Sequence, residues 1–167
     1  MDTAPACEPI MPPVPGQPVG QATVRVDTQL CFALYAASRA STAAYRPFLS
    51  ELGLTYPRYL VMLVLWEKDD ISVGELGAWL YLDTGTLTPL LKKLKASGLI
   101  ARARDGRDER TVRITLTDKG RELRGQAAQI ASTLACRLAL PLEQVEMVRS
   151  EVWKIFGLLT AKESKTS

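Results

Sequence analysis

Apolar side chains recur every three or four positions along most of this chain, which is the spacing of one face of an α-helix. The first such face follows Asp27 and Thr28, either of which is predicted to cap a helix running to about residue 48. The face consists of Leu30, Leu34, Ala37, Ser41, Ala44 and Phe48. Gly53 interrupts the pattern, and Pro57 is predicted in the first turn of a second helix that ends near residue 68. Because that helix is apolar nearly all round, we expect it to be deeply buried.

The middle of the chain alternates between helix caps and helix stops. Ser72 and Glu75 have the spacing of a capping box, which predicts a short third helix ending near residue 80. Asp83 or Thr84 is predicted to cap a fourth helix that runs to about residue 97. Gly98 follows at the position where a left-handed glycine commonly ends a helix.

A β-hairpin is predicted directly after this helix pair. Residues 99–104 and 111–116 are β-prone, and residues 105–110 form the loop between them. Two short helices followed by a hairpin make a winged helix-turn-helix, in which the second helix enters the major groove of DNA. The predicted fold is therefore mainly α-helical, with the hairpin as its wing.

Long helices are predicted at both ends of this unit. Thr117 caps a fifth helix that runs to about residue 138, and Pro141 starts a sixth. Apolar positions spaced for a buried face on the sixth helix are Leu142, Val145, Val148, Val152, Ile155, Phe156 and Leu159. Little of the domain is left to bury the apolar faces of the terminal helices, so we expect the chain to form a homodimer.

Five parts follow from this pattern: a proline-rich arm (1–22), dimerisation and sensing helices (23–70), the winged helix-turn-helix (71–117), C-terminal dimerisation helices (118–160) and a tail (161–167). No apolar run reaches the ~18 residues that span a membrane, and the arm lacks the features of a secretory signal. Cys7, Cys31 and Cys136 are too far apart for a disulfide framework or a metal clamp. We therefore expect a cytoplasmic protein with reduced thiols and no membrane partner.

Positive charge is concentrated in one segment. Residues 92–113 contain eight basic and three acidic residues, a balance of +5, whereas the whole chain carries +3 and the remainder therefore −2. The basic residues are Lys92, Lys93, Lys95, Arg102, Arg104, Arg107, Arg110 and Arg113. Such a concentration on one helix and one hairpin is the electrostatic footprint of a DNA-binding protein. The alternative is a charged, solvated surface of some other domain.

The predicted DNA contacts are Thr84, Thr86, Thr88, Lys92, Lys93, Arg107 and Arg110. Threonine hydroxyls at the start of the fourth helix can hydrogen-bond base edges or phosphates. The lysines further along can reach phosphates, which give affinity rather than sequence choice. The loop arginines suit a narrow minor groove.

The chain contains no histidine, which excludes His-dependent acid–base catalysis, Ser-His and Cys-His nucleophiles and His-bearing zinc sites. It also lacks a glycine-rich phosphate loop. We therefore expect no enzyme activity, no cofactor and no metal.

The remaining candidate chemistry is a thiol. Cys31 lies one turn into the first predicted helix, where the helix dipole favours a thiolate. The alternative is a small buried apolar residue. Tyr45 follows fourteen residues later, ~21 Å along the axis, so the two side chains cannot touch within one chain. They could meet if two copies of the helix ran antiparallel across a two-fold axis, and Tyr56 could join them. Packing at an interface is the alternative for both tyrosines. Cys136, near the end of the fifth helix, is either a buried residue or a thiol that resolves an oxidised Cys31.

Segments that include Cys31, Tyr56 and the predicted DNA contacts are similar to the MarR-family regulators, and more narrowly to the organic hydroperoxide resistance regulators (OhrR) of the two-cysteine type. They are LCFALY, TYPRYLVMLVLWE, LYLDTGTLTPLLKKL and DGRDERTVRITLTDKG, and the similarity covers roughly residues 28–159.

This resemblance implies a homodimeric repressor that holds operator DNA when reduced and releases it when organic hydroperoxides oxidise the sensing cysteine. The residue that matches this cysteine is Cys31, and Tyr45 and Tyr56 match its hydroxyl partners from the other subunit. Cys136 matches the resolving cysteine of an intersubunit disulfide, and Arg110 matches the wing arginine.

Two other functions stay open on the residues alone. One keeps DNA binding but replaces oxidation by a small aromatic or anionic ligand that binds between the helices without a covalent bond. The other is an enzyme of a different class, a thiol peroxidase that uses Cys31.

Overall fold

The fold is described from a computed structural model, which covers residues 25–104 and 111–161. The helices are α1 (Leu30–Glu51), α2 (Tyr56–Glu67), α3 (Val73–Leu80), α4 (Thr84–Ala96), α5 (Asp118–Leu138) and α6 (Leu142–Thr160). The strands are β1 (Ile71–Ser72), β2 (Ile100–Arg104) and β3 (Val112–Leu116). The predicted fold class, a mainly helical winged helix-turn-helix, is confirmed.

Three of the predicted caps are present as side-chain hydrogen bonds. Ser72 and Glu75 form the capping box at the start of α3. The Asp83 carboxylate accepts from the backbone N–H of Thr86 at α4, and the Thr117 hydroxyl accepts from that of Gly120 at α5. These bonds pair amide groups that have no partner inside the helix, so they fix where α3, α4 and α5 begin.

The predicted cap of α1 is wrong. The N-cap is Gln29, and its side chain makes no capping bond. Asp27 and Thr28 belong instead to a short 3-10 turn (Val26–Thr28), in which the Thr28 hydroxyl donates to the carbonyl of Arg25 at 3.0 Å. Because Asp27 and Thr28 lie within this turn, neither occupies the N-cap position of α1, which the prediction required.

The wing belongs to a three-stranded sheet rather than the predicted two-stranded hairpin. All pairs are antiparallel, in the order β1-β3-β2. Ile100 lies opposite Leu116 and Arg104 opposite Val112, while the short strand β1 pairs Ile71 with Ile114. A strand of two residues is too short to show an alternating pattern, which is why the sequence did not predict it.

The buried core lies mainly in the helix-turn-helix and the inner part of α2. As predicted, α2 is deeply buried, since Val61, Met62 and Leu65 are fully enclosed. By contrast, α6 has no buried residue within this single chain, and Val148 and Val152 on its predicted face are exposed.

Among the described helices, none alone is both long and apolar enough to cross a membrane. α1 and α2 meet that criterion only when joined as a pair bent by 76°.

Candidate DNA interface and thiol site

Helix α4 presents one apolar face to the core and one basic face to solvent. Leu87, Leu91 and Leu94, spaced three or four residues apart, are fully buried. Lys92 and Lys93 fall between them and are exposed, as is Lys95. The packing of the leucines therefore fixes which side of the helix carries the charge.

At the start of α4, two threonine hydroxyl groups donate hydrogen bonds to neighbouring groups of the same segment. The Thr86 hydroxyl donates to the Asp83 carboxylate at 2.7 Å, and the Thr88 hydroxyl donates to the Thr84 carbonyl at 2.7 Å. The bonds from Thr86 lower the pKa of Asp83, so its carboxylate stays charged at the helix start. In this arrangement the hydroxyls of Thr86 and Thr88 can meet a ligand through their lone pairs, and their methyl groups stay available for apolar contact.

The described part of the wing carries its own arginines. Arg104 is exposed at the end of β2, while Arg113 in β3 is half-buried. Arg113 donates to both the side chain and the backbone carbonyl of Asp70, with the carboxylate contact at 2.8 Å. Its charge is therefore offset within the protein. Arg107 and Arg110, the two loop arginines predicted to contact DNA, lie outside the described residues.

The wing is joined to the start of α5 by the Asp69 carboxylate. One oxygen accepts the backbone N–H groups of Asp70 and Leu116, each at 2.8 Å. The other oxygen accepts from the Arg121 guanidinium at 2.7 Å, and Arg121 also donates to the carbonyl of Leu116 at 3.0 Å. One side chain thus connects the α2–β1 turn, β3 and α5.

A second set of contacts joins the same elements from the core side. The Trp66 indole N–H donates to the carbonyl of Gly120 at 2.8 Å in a buried setting. The Thr117 hydroxyl donates to the carbonyl of Gly98 at 2.6 Å. A side chain at Gly120 would collide with the carbonyl of Leu99, so only glycine lets α5 approach β2 this closely. The helix-turn-helix, the described strands of the wing and the first turn of α5 are therefore one tightly connected body, here called the head.

Cys31 lies in the first turn of α1, and its side chain is exposed in the single chain. The alternative prediction, that Cys31 is a small buried residue, is wrong within one protomer. Tyr35 lies one turn later, and its hydroxyl accepts a hydrogen bond from Arg39 at 2.9 Å. The Arg39 guanidinium also lies 5.6 Å from the centre of the Tyr35 ring. The exposed start of α1 thus carries a thiol, a phenol and a cation at helical spacing.

Tyr45 and Tyr56 come together, as their positions on two adjoining helices allow. Their ring centres are 5.1 Å apart. A third ring, Tyr59, lies 5.7 Å from Tyr45 and is almost fully buried. Burial raises the pKa of both Tyr56 and Tyr59, and the neighbouring Tyr45 adds to the effect. The phenols of Tyr56 and Tyr59 therefore stay protonated well above neutral pH and can donate hydrogen bonds.

Cys136 lies near the end of α5 and is exposed, so the buried alternative is wrong for this thiol within one chain. Cys31 and Cys136 are both free thiols. Cys7 lies outside the described residues.

Sequence reasoning missed several residues of this region. Tyr59 reads as one more apolar position of a buried helix, and its ring contact with Tyr45 shows only once α1 and α2 are packed. Asp69 and Arg121 are 52 residues apart, and nothing in the local pattern pairs them. Tyr35 was detectable, because it lies four residues after Cys31 on the same helical face.

The fold and the outward basic helix define a winged helix-turn-helix protein. Residues 43–126 match the family model described as transcriptional regulator SarA/Rot. The chain belongs to the MarR/SarA family of winged-helix transcriptional regulators. The resemblance to MarR-family regulators is thereby confirmed, and the two-cysteine type stays a prediction.

Two relatives are informative at the level of sequence. The chain is 54% identical over 119 residues to the HTH-type transcriptional regulator TtmR of Methylorubrum extorquens. That match covers 71% of this chain but only 61% of TtmR. It is 41% identical over 139 residues to the organic hydroperoxide resistance transcriptional regulator of Bacillus subtilis, covering 83% of this chain and 95% of that one.

AbfR of Staphylococcus epidermidis is similar in structure. Its reduced, DNA-bound form is 36% identical, with a TM-score of 0.70 over 81% of this chain and 94% of that one. Its disulfide form is matched with a TM-score of 0.59 over 78% and 93%. The two sequence relatives are transcriptional regulators by name, and AbfR has been solved bound to DNA.

Proposed function

We propose that this chain is a homodimeric DNA-binding repressor that organic hydroperoxides inactivate by oxidising Cys31. The observation that carries the proposal is the exposed Cys31 on a helix that also holds Tyr45, ~21 Å away along the axis. Membership of the regulator family supports DNA binding. The Bacillus subtilis relative, named for organic hydroperoxide resistance, supports the signal.

Operator binding is assigned to the solvent face of α4 and to the wing. Lys92 and Lys93 would meet phosphates beside the major groove, and Thr84 at the helix start would face bases or phosphates. Thr86 and Thr88 would face base edges, because their hydroxyl protons are already used within the protein. Arg107 and Arg110 would extend the contact into a minor groove. The burial of the α4 leucines supports this orientation, because it leaves only the basic side free.

Dimerisation is assigned to α1, α5 and α6. The apolar face of α6 is exposed in the single chain, and so is Leu30 beside Cys31. A second copy that covers these faces would remove apolar surface from water. With the two α1 helices antiparallel, Cys31 of each subunit would approach the tyrosine pair Tyr45–Tyr56 of the other.

The proposed chemistry has two balanced steps. The Cys31 thiolate attacks the O–O bond of the hydroperoxide, which leaves as an alcohol after taking up a proton, and the sulfur becomes a sulfenic acid. The Cys136 thiol of the other subunit then attacks this sulfur. A disulfide forms and water leaves. The hydroxyl groups of Tyr45 and Tyr56 would donate hydrogen bonds to the Cys31 thiolate before the first step.

Release of DNA would follow from a change in the spacing of the two heads. Half-sites about one helical turn apart, ~34 Å, need both heads in register. A disulfide between subunits would move one dimerisation helix relative to another and so displace the heads. Moving a dimer from mostly bound to mostly free requires several kcal/mol of differential binding.

The test is operator binding measured against hydroperoxide dose. Wild type should release DNA, whereas Cys31→Ser should bind and then stay bound after the same treatment. Cys136→Ser is the matched control, since it keeps the sensing thiol but should lose the intersubunit dimer on a non-reducing gel. Release of DNA by Cys31→Ser would overturn the sensing role. A crosslinked dimer in Cys136→Ser would overturn the pairing.

A cavity favours a second candidate function, repression relieved by a non-covalent ligand. It has a volume of about 320 Å³ and opens between α2 and α5. Its walls are Tyr59, Leu63, Trp66, Glu67, Arg124, Ala127 and Ala128. The walls combine aromatic rings with one cation, Arg124, and one anion, Glu67, which suits a small aromatic ligand. Release of Cys31→Ser from DNA by an aromatic carboxylate, with no oxidant present, would support this alternative.

A further inference from the structure

Tyr81 occupies a strained position at the turn between α3 and α4. It caps the C-terminus of α3 in the left-handed region, with φ 53° and ψ 40°. Glycine adopts this conformation freely, whereas a residue with a side chain is strained in it. The ring is also 63% exposed, so burial in the head does not explain its presence.

The ring of Tyr81 packs instead against the last helix. Its centre lies 4.6 Å from that of Phe156 and 6.1 Å from that of Trp153. Trp153 and Phe156 meet edge to face at 5.5 Å and 84°. These distances are those of attractive aromatic pairs. The three rings, here called the aromatic bridge, connect α6 of the dimerisation region to the turn of the head.

The turn that contains Tyr81 is packed tightly against α3, so the turn and Tyr81 move together. The backbone N–H groups of Tyr81 and Leu82 both donate to the carbonyl of Gly77 in α3. A side chain at Gly77 would lie 2.7 Å from the carbonyl of Leu82, so the turn rests directly on the α3 backbone. Asp83, which caps α4, is the next residue. A displacement of the Tyr81 ring therefore carries the start of α4 with it.

We propose that Tyr81 is a positioning residue for DNA reading, which sets the angle between α4 and α6 through the aromatic bridge. The proposal rests on the proposed function, since α4 must read DNA for its angle to matter. The aromatic bridge would couple the dimerisation region to α4 independently of the contacts made by Asp69. Movement of α6 then changes how the first turn of α4 meets DNA.

The experiment uses full-length protein and DNA fragments that wild type selects from a random-sequence library. Tyr81→Gly removes the ring and relieves the left-handed strain, while Tyr81→Phe keeps the ring and serves as the matched control. Phe156→Leu removes the facing ring but keeps an apolar side chain for the dimer. Dissociation constants, thermal midpoints and tryptophan fluorescence are measured for the single variants and for Tyr81→Gly combined with Phe156→Leu.

We expect Tyr81→Phe to bind DNA within about twofold of wild type. Tyr81→Gly and Phe156→Leu should each bind roughly tenfold more weakly, and the double variant no more weakly than the worse single, because both changes break one contact. The thermal midpoint of Tyr81→Gly should not fall, and its tryptophan emission should shift to longer wavelength because Trp153 loses the neighbouring Tyr81 ring.

Three results would overturn the positioning role: unchanged binding by Tyr81→Gly, losses that multiply in the double variant, or a Tyr81→Phe variant as weak as Tyr81→Gly. If wild type selects no DNA, the proposed function itself fails. If wild type binds DNA and the Tyr81 variants bind it equally well, only this inference is overturned.

Discussion

Replacing Gly120 by alanine tests the joint between the wing and α5. The added Cβ would lie 2.1 Å from the carbonyl oxygen of Leu99 and 3.3 Å from a methyl group of Leu116. The first distance is far inside van der Waals contact, and the obstacle is backbone rather than a movable side chain. The start of α5 must therefore shift away from β2.

The magnitude follows from three effects. Overpacking of this kind costs about 1–3 kcal/mol. The shift also weakens the bonds from Trp66 to Gly120 and from Thr117 to Leu99, each contributing ~1 kcal/mol. Alanine returns ~1 kcal/mol through its helix propensity. We expect Gly120→Ala to lower the free energy of unfolding by about 2–4 kcal/mol.

Gly125→Ala is the matched control on the same helix. Nothing lies within 4 Å of a Cβ at Gly125, so this change should stabilise the protein by ~1 kcal/mol. The assay is urea unfolding followed by tryptophan fluorescence, at one fixed protomer concentration because a dimer unfolds in a concentration-dependent way. At a typical m-value of about 2 kcal/mol/M, the midpoint of Gly120→Ala should fall by about 1–2 M. A wild-type midpoint for Gly120→Ala, or shifts of the same sign for both alanines, would refute the reasoning.

Three further changes probe the head. Asp83→Ala removes the cap of α4 and should lower the urea midpoint; an unchanged midpoint would mean that the cap bonds are unimportant. Two capping bonds at Ser72 lower the pKa of Glu75 to about 2 from its ordinary 4.5, so its carboxylate stabilises the fold above pH 4.5 and loses this effect as the pH falls toward 2. The stability gap between wild type and Glu75→Gln should therefore close over that range, and a constant gap would contradict the assignment. Asp69→Ala leaves the Leu116 amide without its acceptor and removes one of the acceptors of Arg121, and it should cost about 1–3 kcal/mol, whereas an unchanged urea midpoint would show that the joint does not depend on this carboxylate.

The helices of this fold were predictable because their signals are local. The capping box at Ser72, the cap at Thr117 and the glycine stop at Gly98 each depend on a few adjacent residues, and each lies where the sequence placed it. The start of α1 was missed because two polar residues can cap a helix or form a 3-10 turn equally well. Strand β1 was missed because its partner β3 lies about forty residues further on.

The residues of the candidate site also fall into two groups, those that local sequence places and those that only the packing of separate helices places. Helical spacing alone places Lys92 and Lys93 on the side opposite the buried leucines. The ring contact of Tyr45 with Tyr59, and that of Tyr81 with Phe156, depend on how separate helices pack. Such contacts have no periodic signature, so only the folded chain reveals them.

The joint at Asp69 determines where this protein can be cut and recombined. A chimaera that joins this chain to foreign dimerisation helices at Thr117 would separate Trp66 from Gly120 and Asp69 from Arg121. Each polar group left buried without a partner would cost about 1–3 kcal/mol. A transplantable reading unit must therefore keep the first turns of α5, because that piece of the helix completes the head.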